Sequence, residues 1–199
     1  MKNQQKIWDK IAPEWNKYRI DSKELNELLK GQKGRILDLG SGSGRSLINL
    51  KTKGEMYLVD FSENMIKLAK KRAKNEKIKA KFFVSDISKL PFKDNFFDFA
   101  ISIASLHCLT TKRKRKKAVK ELFRVLKSGA KAKIAVWNKD TDRYKNAPKV
   151  KYINWKNKGK RYYYLYDEKE VHKLFKKVGF IIKKACKPNK NIIFIVQKP

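Results

Sequence analysis

Two cysteines, two histidines and five prolines are all that 199 residues contain of those types, and 19 acids face 51 lysines and arginines. Each shortage excludes something. Cys108 and Cys186 are too few for a disulfide framework, and with His107 and His172 they lack the spacing of a zinc site. No apolar run has the length of a bilayer-crossing helix, and the start MKNQQKIWDK has no apolar signal core, so no membrane is expected and the cytoplasm is the expected compartment. What is present suffices for a fold. A hydrophobic fraction of 41% with 12% aromatics provides a core, and one domain, 1–199, can bury roughly 70% of its extended-chain surface. The net charge of +32 draws polyanions, nucleic acid first and an anionic membrane surface second. A general lysine bias of exposed positions gives the same number without any partner.

Residues 1–33 carry two amphipathic stripes. Ile7, Trp8, Ile11, Trp15 and Tyr18 form the first, which Pro13 is expected to break. Asp21 with Glu24 reads as a capping box for the second, which carries Leu25, Leu28 and Leu29 and stops at Gly31. Strand and helix then alternate. Strands are expected at 35–40, 56–60, 81–86, 96–104 and 132–138. Helices are expected after the glycine-rich turn, after Ser62, and from Thr110 or Thr111 to Ser128-Gly129. Residues 139–164 are basic and tyrosine-rich and read as an insertion. Asp167 with Glu170 caps a further helix, and FIIKKA and IIFIVQ, joined at 188–190, form a hairpin. The expected fold is α/β and Rossmann-like: a seven-stranded, mostly parallel sheet with a C-terminal antiparallel hairpin and helices on both faces. Its ligand crevice lies beyond the carboxyl ends of the strands.

Asp38-Leu39-Gly40-Ser41-Gly42-Ser43-Gly44 is the sharpest local signal. Alternate glycines after a strand allow a tight turn and close approach of backbone to ligand. The spacing is neither that of a dinucleotide fingerprint nor that of a Walker loop. An acid in the turn suits a ligand with a positive amine better than a pyrophosphate. The pattern D-x-G-x-G-x-G closely resembles the first motif of class I S-adenosylmethionine (SAM) methyltransferases. By that resemblance Asp38, Gly40, Gly42 and Gly44 form the cofactor turn, Asp60 at the end of the second strand holds the ribose, and Asp86 faces the adenine. Phe61, Ile87 and Ile103 stand beside them.

Several stretches resemble a narrower family, the tRNA methyltransferases that esterify 5-carboxymethyluridine at the wobble position. They are IAPEWNKYR, DFAISIASLHCL, AVW and RYYYLYDEKEV, and the likeness spans about residues 7–180. A carboxylate acceptor is ionised at neutral pH, with an ordinary pKa of about 4, so its methylation needs positioning rather than a general base. The resemblance makes Arg19 the expected carboxylate clamp and Arg161 a second. His107 is a donor, and Trp137 and Tyr162 are platforms for a splayed-out base. Lys112 through Lys117 crowd the start of a helix, the unfavourable end for cations, which suggests RNA phosphate there. Cys108 is read as a small core residue. Two other readings stay open: methylation of a small metabolite of the quinone-precursor type, and a non-catalytic RNA-binding relative. The family works with a small zinc-binding activator that adds a strand at the sheet edge. The edge strand 81–86, with Phe82 and Phe83, is therefore the expected contact for such a partner, to which the zinc would belong.

Overall fold

The computed structural model describes residues 2–18 and 23–199. Its strands are β1 (Arg35–Leu39), β2 (Glu55–Asp60), β3 (Ala80–Val84), β4 (Phe97–Ile103), β5 (Leu126–Trp137), β6 (Val150–Asn154), β7 (Lys160–Tyr164), β8 (Ile181–Ala185) and β9 (Asn191–Gln197). Its helices are α1 (Lys2–Tyr18), α2 (Lys23–Lys30), α3 (Glu63–Asn75), α4 (Lys112–Val125) and α5 (Glu168–Lys176). Seven strands form one sheet in the order β3-β2-β1-β4-β5-β9-β8. β1 to β5 are parallel to their neighbours, and β9 runs antiparallel between β5 and β8. The expected fold class is the observed one.

Alternation along the strands explains the layers. Leu37, Leu39, Tyr57 and Val59 point to one face and pack with Val119 and Leu122 of α4 and Val171 and Phe175 of α5. Ile36, Met56 and Leu58 point to the other and pack with Leu25 and Leu29 of α2 and Ala69 and Ala73 of α3. A side-chain period of two, with both faces apolar, produces a sheet covered on both sides. No described helix is long and apolar enough to cross a membrane.

Several boundaries differ from the sequence expectation. Pro13 lies inside a continuous α1. The carbonyl it deprives of a helical donor belongs to Asp9, four residues back, and the Asn64 side-chain amide donates to that carbonyl at 3.0 Å. A bond from another element thus replaces the lost one, and the helix does not break. The helix expected after the glycine turn is a single tight turn, Arg45–Leu47. α4 ends at Val125, and Leu126 already pairs with Phe97 in the sheet, so Ser128-Gly129 falls within β5. The strand expected at 81–86 stops at Val84, which puts Asp86 in the loop beyond it. Residues 139–164 contain a two-stranded ribbon of β6 and β7. Asp21 lies outside the described residues. Asp167 caps α5 by accepting the Glu170 N–H at 2.7 Å. The Glu170 carboxylate does not close the box; it binds Lys149 and the Tyr164 hydroxyl.

α1 is the element that completes the site. Asp9 Oδ1 accepts from the Ser62 hydroxyl at 2.5 Å and from Asn64 N–H at 3.1 Å. Ser62 itself caps α3 through Met65 N–H. Trp8, Ile11 and Ala12 then pack on Met65 and Tyr163. Asp9→Ala removes two capping bonds, one of them to a buried hydroxyl, and is expected to cost about 1–2 kcal/mol in urea unfolding at unchanged m-value. A loss under about 0.3 kcal/mol would show that the aromatic contacts alone hold α1.

Candidate functional site

The pocket opens where β1 ends between β2 and β4, at the carboxyl edge of the sheet. The chain leaves β1 through Gly40, whose N–H and that of Ser41 both donate to the Val59 carbonyl, at 2.8 and 2.9 Å. Gly40 has φ +78°, and an added Cβ would sit 2.2 Å from the Ser105 Cβ. Gly42, at φ +54°, has open space where its Cβ would be, so the pocket comes right up to bare backbone. Asp38 does not reach the pocket wall. It is buried, and its Oδ2 accepts the Ser46 hydroxyl at 2.5 Å, tying the strand to the turn that ends the glycine loop. Burial pushes its carboxyl up to about 6, partly offset by that hydrogen bond.

Asp60 ends β2 and is the polar centre of the wall. Its Oδ1 accepts Ser62 N–H and its Oδ2 accepts Gly42 N–H, both at 2.9 Å. Burial pushes this carboxyl also up to about 6, against the pull of those backbone donors. Each oxygen keeps lone-pair capacity for a further donor. Asp86 stands in the next loop. Burial raises its carboxyl, but the Ser88 N–H and the Lys114 ammonium at 3.0 Å outweigh it and hold the pKa below the ordinary value. Gly40, Gly42, Asp60, Phe61, Asp86, Ile87 and Ile103 all line this one pocket of about 1000 Å³, its open mouth included. Gly44 and Asp38 do not line it. The sequence offered no sign of Gln4, and showed Trp8 and Trp15 only as part of a helical stripe, yet all three close the pocket from α1. Their spacing announced a helix, and only the docking of α1 turned them inward.

A second cluster adjoins the pocket through Trp8 and Trp15. Arg161 on β7 is buried, and its guanidinium lies 4.8 to 5.8 Å from the rings of Trp155, Trp15, Tyr163 and Trp8. It donates to the Tyr163 hydroxyl at 2.5 Å, while its Nε has no hydrogen-bond partner among the described residues. His107 Nδ1 accepts Trp137 N–H at 3.0 Å, so its neutral ring carries the proton on Nε2. Trp137 is stacked on Tyr163, with centroids 4.2 Å apart, and on Tyr144 at 5.9 Å. That indole is spent on protein rings. Tyr162 alternates to the opposite face of β7 from Arg161, where its hydroxyl accepts from Arg115 at 3.4 Å. Tyr163, not Tyr162, is the ring beside Arg161 and His107. Arg19 lies outside the described residues.

The six-cation run at 112–117 does not act as one patch. Arg115 is buried over the Tyr164 ring at 3.7 Å and donates to the Leu109 carbonyl. Lys114 turns to Asp86. Lys112, Arg113, Lys116 and Lys117 face solvent, apart from any contact of the helix start. Cys108 lies on the pocket wall. Burial and the Asp60 charge push its thiol up to about 12, with Arg161 pulling the other way. Iodoacetamide at pH 8 should therefore label exposed Cys186 promptly and the half-buried Cys108 far more slowly, read by intact mass; equally prompt double labelling would show that the Cys108 thiol is not raised. Gly40→Ala should destabilise by about 2–4 kcal/mol, because neither its φ nor its space admits a methyl group. A wild-type thermal midpoint would mean that Ser105 gives way freely.

Residues 36–129 match the family model described as a methyltransferase domain. The chain is 35% identical over 137 residues to the tRNA (carboxymethyluridine(34)-5-O)-methyltransferase of Arabidopsis thaliana, a stretch that is 66% of this chain but only 32% of that relative. It superposes on a SAM-dependent methyltransferase of Methanosarcina mazei with TM-score 0.68 and 25% identity, covering 84% of this chain and 93% of that one. A Haloferax volcanii methyltransferase solved in complex with the Trm112 methyltransferase activator shares the fold at TM-score 0.74 and 16% identity, over 99% and 96% of the two chains. With the strand order and the glycine turn already in place, these likenesses make this chain the bearer of a SAM-dependent methyltransferase domain of the Rossmann-like class.

Proposed function

We propose that the chain methylates the carboxylate of a 5-carboxymethyluridine at the wobble position of tRNA, using SAM. The observation that carries this reading is Arg161. The residue is 6% exposed, and its guanidinium sits among four aromatic rings and makes no ion pair among the described residues. A buried cation without a counter-ion costs several kcal/mol unless an anionic ligand completes it. A planar guanidinium grips the two oxygens of a carboxylate, and the adjoining pocket is where a methyl donor fits. The Arabidopsis relative, matched over most of the domain, is named for that reaction.

The pocket residues fit SAM in kind. Asp60 has lone pairs left for two ribose hydroxyls, Asp86 and Ile87 offer an acid and an apolar side to the adenine, and Gly42 admits the ligand to bare backbone. Bound SAM supplies an electrophilic methyl on a sulfonium. The remaining work falls to this chain's side chains. Arg161, with Arg19 as its partner, orients the acceptor carboxylate, while His107 donates from Nε2 and Trp8 and Trp15 exclude water. No residue is required to remove a proton, and the raised thiol of Cys108 does not take part.

The protein partner in this reading is a zinc-binding activator at β3. β3 is the sheet edge, and Val84 at its end is 49% exposed. Lys81 reaches back to Glu55 and the Tyr57 hydroxyl on β2, at 3.0 and 3.1 Å. The Haloferax neighbour's complex with an activator supports the same expectation.

The test is methyl transfer from labelled SAM, with and without a co-expressed activator, to tRNA carrying the carboxymethyl group. Unmodified tRNA and a small-molecule extract serve as alternatives. Label only in the modified tRNA is expected, and label only in the small molecules would replace this reading. Arg161→Lys keeps the charge but loses the planar grip. It should lower kcat/KM about 100-fold while leaving SAM affinity within about twofold. SAM affinity itself should be constant above about pH 7 and fall as pH drops through about 6, up to tenfold per unit, because the ribose hydroxyls need Asp60 ionised. Calorimetry showing a flat profile from pH 7.5 to 5 would remove Asp60 from the ribose.

A further inference from the structure

A second groove, larger and more open than the cofactor pocket, runs between the first half of α1 and the β6–β7 ribbon. Lys6 and Lys10 stand on one bank, Tyr152, Lys158 and Lys160 on the other. The one acid among the described residues of its wall, Asp9, already accepts from Ser62 and Asn64. Lys158 is paired with Glu14 at 2.6 Å. Lys6, Lys10 and Lys160 are exposed and make no ion pair among the described residues. Tyr152 is 61% exposed, an aromatic ring presented to solvent amid cations.

The groove has a direction. Gln4 lines both it and the cofactor pocket, and holds the two walls together: its Oε1 accepts Tyr162 N–H at 2.9 Å, and its Nε2 donates to the Lys160 carbonyl at 3.1 Å. A strand lying in the groove therefore ends at the pocket. Cations spaced along a channel, with an aromatic platform and carboxamides from Asn64 and Asn157, are the chemistry that holds single-stranded nucleic acid. We propose that this groove binds the single-stranded RNA flanking the target nucleotide. Phosphates lie on Lys6, Lys10 and Lys160, and one base stacks on Tyr152. The inference rests on the RNA reading above and adds the path by which the strand reaches the site.

The experiment measures binding of a fluorescent anticodon stem-loop RNA across a salt series. It compares the full chain, the triple variant Lys6→Gln/Lys10→Gln/Lys160→Gln, Tyr152→Ser, and a charge-matched control, Lys70→Gln/Lys71→Gln/Lys74→Gln on α3. Losing three phosphate contacts should reduce the slope of log K against log salt by about 2, at about 0.7 per phosphate for single strands. Tyr152→Ser should weaken binding about fivefold or more without changing the slope. Thermal midpoints report that each variant is folded. The control should keep the wild-type slope; equal changes in control and groove variants would show that net charge alone is felt and would overturn the groove. Wild-type affinity in both groove variants would overturn it while leaving the RNA reading intact. Failure of the unaltered chain to bind RNA would remove both. Polyglutamate held as tightly as RNA, with the same dependence on the three lysines, would replace RNA by an acidic polypeptide.

Discussion

A single buried carboxylate organises the site. Asp60 collects the Gly42 N–H from the glycine turn and the Ser62 N–H from the start of α3. Ser62 in turn caps α3 and donates to Asp9 of α1. Strand end, cofactor turn, helix start and covering helix therefore meet around one pair of oxygens. Burial makes that charge costly, which is why its carboxyl titrates near 6, and two backbone donors make it tolerable. The same group that holds the loop in place is left with lone pairs facing the pocket.

Arg161 is the opposite case. It is a buried cation surrounded by π faces, with one bond to a tyrosine hydroxyl and its Nε unsatisfied among the described residues. Aromatic rings offset part of its desolvation, but they do not neutralise it. Cys108 stands where both fields are felt, raised by Asp60 and lowered by Arg161. An acid on the pocket wall and a buried cation behind Trp8 and Trp15 thus lie on either side of those two rings.

The excess of positive charge means less than its size suggests. Of the six cations at 112–117, Arg115 is a packing residue under Tyr164 and Lys114 neutralises Asp86. Exposed lysines without an ion pair among the described residues also line the groove between α1 and the ribbon, far from the run in sequence. Composition reports total charge; only shape reports where a phosphate backbone can lie along it.

The sequence by itself determined the sheet and its cofactor turn. Apolar strands of period two, capping residues such as Ser62, Thr111 and Asp167, and the D-x-G-x-G-x-G spacing are local features, and local features are legible because their causes lie within a few residues. It also placed Asp60 at the end of its strand, and Asp86 and Ile87, although the loop begins two residues earlier than expected, still line the same pocket. Tertiary structure decided the rest. Pro13 did not break its helix because Asn64, fifty-one residues later, replaced the missing bond. Asp38 turned to Ser46 instead of the pocket, and Trp137 was consumed by Tyr163 and Tyr144. The register of a ribbon that composition showed only as an insertion put Tyr163 beside Arg161's partners and Tyr162 on the other face. Trp8 and Trp15 became pocket wall once α1 docked. In each case the deciding partner is remote in sequence, and which side chains meet across such distances is set by packing, not by pattern.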